Sequence, residues 1–81
     1  MPMYYFDVRE NGCFIPDRIG TELDDVAAAE REAAEAAAAI ARDRLPGSKA
    51  QTVRVEVRDA TGHILTATAT LSVERAPRVS R

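Results

Sequence analysis

The chain has no tryptophan, one cysteine, one histidine and only two tyrosines and two phenylalanines. A lone Cys13 cannot form an internal disulfide, so no disulfide framework staples the fold, which fits a reducing cytosol. One cysteine and one histidine, His63, cannot supply a zinc set within one chain. Their spacing gives no support to a Cys–His nucleophile pair either, which would also need a third orienting group. The four glycines are scattered at Gly12, Gly20, Gly47 and Gly62; each suits a turn, and none builds a phosphate-cradling loop. No apolar run approaches the roughly 18 residues of a membrane span. Met1 to Arg9 has no basic start followed by an apolar stretch and reads as a strand, not a signal peptide. No cofactor or metal is expected, and the expected setting is the cytoplasm.

The 81 residues fit one domain, expected over residues 1–75, with a tail over 76–81 that has no pattern and is expected to be disordered. The hydrophobic fraction is 46%, but 15 of those residues are alanine, and alanine removes little apolar area from water. The core must rest on Tyr4, Phe6, Val8, Phe14, Ile15, Val26, Ile40, Leu45, Val53, Val55, Val57, Leu65, Leu71 and Val73. That is a thin core, and a homodimer burying more surface is expected. The net charge of −2 is unevenly spread. Residues 1–40 hold three arginines and nine acids, and residues 41–81 hold eight basic and four acidic residues. Acids at a helix start and bases at its end complement the helix dipole and account for much of this split.

Residues 4–9 alternate, with Tyr4, Phe6 and Val8 on one side and Tyr5, Asp7 and Arg9 on the other. Asn11-Gly12 is a hairpin signal, because both residues tolerate positive φ. Cys13 to Ile15 returns as a short strand, and Pro16 places it at a sheet edge. Asp17 to Leu23 reads as a loop, and Asp24 or Asp25 as a helix cap. The helix is predicted over 26–44, with Val26, Ala29, Ala33, Ala36, Ala37 and Ile40 on one stripe. Leu45-Pro46-Gly47 ends it. Val53, Val55 and Val57 alternate with Thr52, Arg54, Glu56 and Arg58 in a third strand. After a turn at Asp59 to Gly62, residues 63–74 form a last strand with Leu65, Ala67, Ala69, Leu71 and Val73 inward. The fold class is α+β, ββαββ: a four-stranded antiparallel sheet in the order 2-1-3-4 with one long helix on one face.

Three surfaces are candidates for function. The last strand is long, rich in threonine and free of proline, and in this order it is an exposed edge that invites strand pairing with another chain. Its outward residues Thr66, Thr68, Thr70 and Ser72 form the candidate interface. The open sheet face carries Tyr5, Arg9, Arg54 and Arg58, which could stack bases and pair phosphates of single-stranded nucleic acid. Asp7 and Glu56 share that face, and opposite-charge cross-strand pairs explain Asp7, Arg54, Glu56 and Arg58 equally well. The third is an acidic cluster of Asp17, Glu22, Asp24 and Asp25, read chiefly as helix capping against a cation site.

Met3-Tyr4-Tyr5-Phe6-Asp7-Val8-Arg9, Asn11-Gly12, Gly20-Thr21-Glu22-Leu23, Ile40-Ala41-Arg42-Asp43 and Val55-Glu56-Val57-Arg58-Asp59 together resemble a family of short bacterial proteins known as a domain of unknown function, DUF6894. The resemblance covers most of the chain and implies no activity, cofactor or catalytic residue. The layout of hairpin, helix and further strands is also similar to small HicB-like antitoxin domains, which bind a partner protein; this is analogy of layout. The reading is a non-enzymatic protein-interaction module that self-associates through its sheet, with a nucleic-acid binder as the alternative.

Overall fold

The computed structural model describes residues 1–44 and 50–78. Its elements are β1 (Met3–Glu10), β2 (Cys13–Ile15), β3 (Thr21–Glu22), α1 (Val26–Arg44), β4 (Ala50–Asp59) and β5 (Gly62–Ser72). All strand pairings are antiparallel. The fold is α+β, one helix on an antiparallel sheet, as the alternation in the sequence implies. Among the described residues the sheet has five strands instead of four, so its order departs in detail from the expected one. It runs β2-β1-β4-β5, with β3 also on β1.

The additional strand comes from the segment expected as a loop. Thr21 pairs with Tyr4 and Glu22 with Met3. Asp17 folds the chain back to reach them. Its Oδ1 accepts from the amides of Ile19 and Gly20, and its Oδ2 from the amide of Phe6. Phe6 lies on β1 between the residues paired with β3 and those paired with β2, so the carboxylate supplies the acceptor where no strand runs. Gly20 has φ +81°, and a Cβ there would stand 2.8 Å from Tyr5 Cε2 and 2.9 Å from Met3 Sδ. Only glycine fits that close approach.

Asn11 and Gly12, at φ 49° and 77°, turn β1 into β2, as two positive φ values in a two-residue hairpin require. Asp25 is the helix cap: its Oδ1 accepts from the amide of Ala28 at 2.9 Å. Arg42 and Arg44 occupy the last turn, where positive charge complements the dipole. The expected stop at Leu45-Pro46-Gly47 lies outside the described residues.

The core is a contact between small and branched side chains. Ala29, Ala33, Ala37 and Ala41, spaced by four, are buried on α1, and Val53, Val55 and Val57 are fully buried on β4. Four alanines in a row let the helix backbone lie close to the sheet, over β4 and β5. Phe6, opposite Val57, and Val8, opposite Val55, add bulk from β1. The register shifts between Val57 and Arg58: Val57 faces Leu65 and Arg58 faces His63, so Ile64 is an inserted residue. Ile64 and Leu65 consequently both pack against the core.

Five residues expected in the core are exposed: Phe14, Ile15, Val26, Leu71 and Val73. Phe14 pairs with Arg9 and shares the face without a helix. Ile15 pairs with Val8 on the helix side, but α1 lies over β4 and β5, beyond its reach. Val26 is one position off the buried alanine row. Leu71 lies near the end of an edge strand, and Val73 lies past it.

Ala37→Leu should lower unfolding stability by about 1–3 kcal/mol, because the helix–sheet seam has no room for a larger side chain. The exposed Ala27→Leu should change it by less than about 0.5 kcal/mol. Urea unfolding monitored by circular dichroism measures both; equal effects would contradict close packing at Ala37.

Candidate functional site

The face of the sheet opposite α1 is built by the odd residues of β1 and the even residues of β4. Across the two strands, Tyr5 lies opposite Arg58, Asp7 opposite Glu56 and Arg9 opposite Arg54. Two of these three pairs set like charges side by side, which is unfavourable. The ion pairs therefore run diagonally. Arg9 Nε binds Glu56 Oε2 at 2.8 Å, and Arg58 Nε binds Asp7 Oδ2 at 2.9 Å.

Arg58 is the centre of a larger network. Its guanidinium also donates to the carbonyl oxygen of Asp17 at 2.8 Å and stacks 4.5 Å from the Tyr5 ring centroid. Asp7, 6% exposed on this otherwise uncovered face, accepts the Asp17 amide through its second oxygen at 2.8 Å. Burial of Asp17 acts to raise its carboxyl pKa. The amide hydrogen bonds from Gly20, Ile19 and Phe6, with the charge of Arg58, outweigh that and hold the pKa below the ordinary aspartate value. At the far turn, the Thr61 hydroxyl and amide lower the pKa of Asp59 and pin the β4–β5 hairpin.

The four residues read as a nucleic-acid face are thus brought onto one face, and three of them are occupied. Tyr5 lies between Arg58 and Gly20. Arg9 binds Glu56 and lies 4.3 Å from the Phe14 ring centroid. Arg58 holds Asp7. Arg54 is exposed and makes no ion pair among the described residues. A shallow cleft of about 240 Å³ beside it is lined by Arg9, Arg54, Thr52, Cys13 and the Asn11–Gly12 turn.

Cys13 and His63 lie at opposite ends of the sheet, beside the first and the second hairpin turn, so they cannot act as a pair. Among the described residues, no group of three His, Cys, Asp or Glu could hold a metal ion. In the acidic cluster, Asp25 caps α1 and Asp17 binds backbone amides. Among the described residues, no helix is long and apolar enough to cross a membrane.

Thr66, Thr68, Thr70 and Ser72 are all exposed and share the face of Arg54 and Glu56. Thr70 Oγ1 lies 3.2 Å from Thr52 Oγ1, and Thr66 Oγ1 lies 2.8 Å from His63 Nε2. Their backbone direction follows from a single bond. Phe6 N–H donates to Asp17, away from β4, so Phe6 and Val57 form a pair whose backbone groups point apart. Alternation then aims Val53, Val55 and Val57 at β5, and their partners Ala69, Ala67 and Leu65 back at β4. The intervening Thr66, Thr68, Thr70 and Ser72 direct N–H and C=O outward, at an edge where no described strand pairs.

A sequence model of a protein family described as a domain of unknown function (DUF6894) matches residues 3–72. The chain belongs to this family. The matched span of the DUF6894 domain runs from the first residue of β1 to the last of β5, so it includes the Asp7–Arg58–Asp17 network and the free edge. No curated protein and no solved structure matches the chain, and the layout likeness to HicB-like domains stays an analogy.

Asp17→Asn should destabilise the DUF6894 domain by about 1–2 kcal/mol at neutral pH, since bonds to a charged acceptor exceed those to a neutral one. The folded pKa is depressed, so the contribution is complete above the unfolded aspartate pKa of roughly 3.9 and is lost as pH falls through the lower folded value. The stability gap between wild type and variant should therefore close below about pH 4. A gap constant from pH 7 to pH 2 would contradict the assignment.

Proposed function

We propose that the chain is a non-enzymatic protein-interaction module that self-associates through its sheet. The observation that carries this reading is the state of β5. It is eleven residues long and lies at the end of the sheet. From Gly62 to Ser72 it contains no proline and no Asp, Glu, Lys or Arg. Soluble proteins commonly block such edges with charge, proline or a very short strand. Here the one irregularity, at Ile64, lies next to the turn and leaves the Thr66 to Ser72 stretch regular. A second antiparallel copy of β5 satisfies the outward groups of both strands at once and gives a closed two-fold pair. The thin core supports the same reading, because a small domain gains stability from surface buried in a dimer.

The alternative, a nucleic-acid binder on the open face, draws no support from the geometry. Its aromatic platform Tyr5 is stacked with Arg58, and two of its three arginines neutralise carboxylates of the same sheet.

Thr68→Pro tests the proposal. The Thr68 N–H faces outward, so proline there removes no β4–β5 bond while blocking strand addition. The wild type should sediment as a dimer and the variant as a folded monomer with an unchanged far-ultraviolet spectrum. A monomeric wild type, or a variant that stays dimeric, would refute the proposal. Salt should affect the dimer far less than it affects phosphate binding.

A further inference from the structure

The helix carries a second, unused row beside its buried one. Positions one after the buried Ala29, Ala33, Ala37 and Ala41 are Glu30, Ala34, Ala38 and Arg42, and all four are exposed. Positions one before are Ala28, Glu32, Ala36 and Ile40, of which Ala28, Ala36 and Ile40 are half-buried. Ala36 and Ile40 pack against the core. β3 and β4 both run antiparallel to β1, so β3–α1–β4 is a crossover between parallel strands. In its right-handed form the right-handed helix turns the residue before each buried alanine toward β1 and the residue after it past β5, where the sheet ends.

We infer that a second copy of the chain docks on this row as well as on β5, so that the dimer seam has two layers. The inference rests on the self-association proposed above and names its geometry. Strands in a sheet are about 4.8 Å apart, so a helix centred over β4 and β5 has its axis roughly 2.4 Å inside β5. A two-fold β5–β5 pairing then sets the two helix axes about 10 Å apart, on the same face of the joined sheet and antiparallel. Packed helices lie roughly 8–10 Å apart, so the helices of the dimer must touch. At that distance the facing row needs small residues in its middle, and Ala34 and Ala38 supply them.

The charges at the ends of the row fit the same symmetry. In an antiparallel pair centred between Ala34 and Ala38, Glu30 of each protomer stands opposite Arg42 of its partner. The row is self-complementary: acidic, small, small, basic. Neither Glu30 nor Arg42 has an ion-pair partner among the described residues, so both are available. Antiparallel helix dipoles add to the attraction. The charges also select one strand register, the one that places the helix midpoint on the two-fold axis.

A charge swap on the full chain tests this, read as the dimer dissociation constant by sedimentation equilibrium at low salt. Glu30→Arg and Arg42→Glu each turn two attractions into two repulsions and should weaken the dimer by about tenfold. The double variant E30R/R42E restores opposite charges and should return the constant to within a few-fold of wild type. Single variants with unchanged constants, or a double variant as weak as the singles, would overturn the helix seam. If Thr68→Pro dissociates the dimer while the helix variants do not, strand pairing stands and the helix seam falls. A wild type that is monomeric at all concentrations overturns both.

Discussion

The contact between four alanines of α1 and three valines of β4 constrains everything else in this domain. Its closeness comes from the absence of side-chain bulk on the helix. The sheet supplies the volume through Val53, Val55 and Val57, supported by Phe6 and Val8. Because the fullest contact is with β4 and β5, the helix lies off the middle of the sheet. That displacement leaves Ile15 of β2 uncovered and brings the exposed side of α1 near the β5 margin. The placement of the helix thus decides which surfaces a partner can reach.

The opposite face is held by charge. Directly opposed strand residues would repel as Asp7 with Glu56 and as Arg9 with Arg54, and the diagonal pairs resolve both conflicts. Arg58 binds Asp7, the Asp17 carbonyl and the face of Tyr5 together, joining β1, β4 and the segment before β3. With Arg9 and Arg58 committed in this way, and Arg54 exposed without an ion pair among the described residues, most of the charge on this face acts as a scaffold. Arg58 holds the Asp17 segment before the Gly20 bend, Arg9 stacks on Phe14 of the first hairpin, and β5 is the longer of the two edge strands of the described sheet.

Much of this was legible in the residue pattern. Asn11-Gly12 marked the first hairpin, alternation marked β1, β4 and β5, and an aspartate marked the helix start. The signal was clear because each depends on one or two residues with a strong local preference. The short β3 was not legible, since two residues show no period and its pairing depends on Asp17 reaching Phe6 across the chain. The exposure of Phe14, Ile15 and Val26 was missed because hydrophobicity reports a tendency to be covered and says nothing of where the single cover lies. Pairing of Asp7 and Glu56 with Arg54 and Arg58 was open in the sequence as an alternative to nucleic-acid contact. Register decided it: Arg58 takes Asp7 as that pattern allowed, but Glu56 is taken by Arg9 and not by Arg54.

The sequence by itself determined the inventory: strands, turns and one alanine-rich helix, with no set of residues for zinc or a disulfide. These follow from local backbone preference and residue chemistry, which act within a few positions of the chain. Only the tertiary structure decided which of two candidate faces is spent on internal ion pairs, which backbone groups of β5 point outward, and which row of α1 overhangs the edge. Those are properties of register and of helix placement, and both are set by contacts between residues some fifty positions apart, such as Asp7 with Arg58 and Phe6 with Val57.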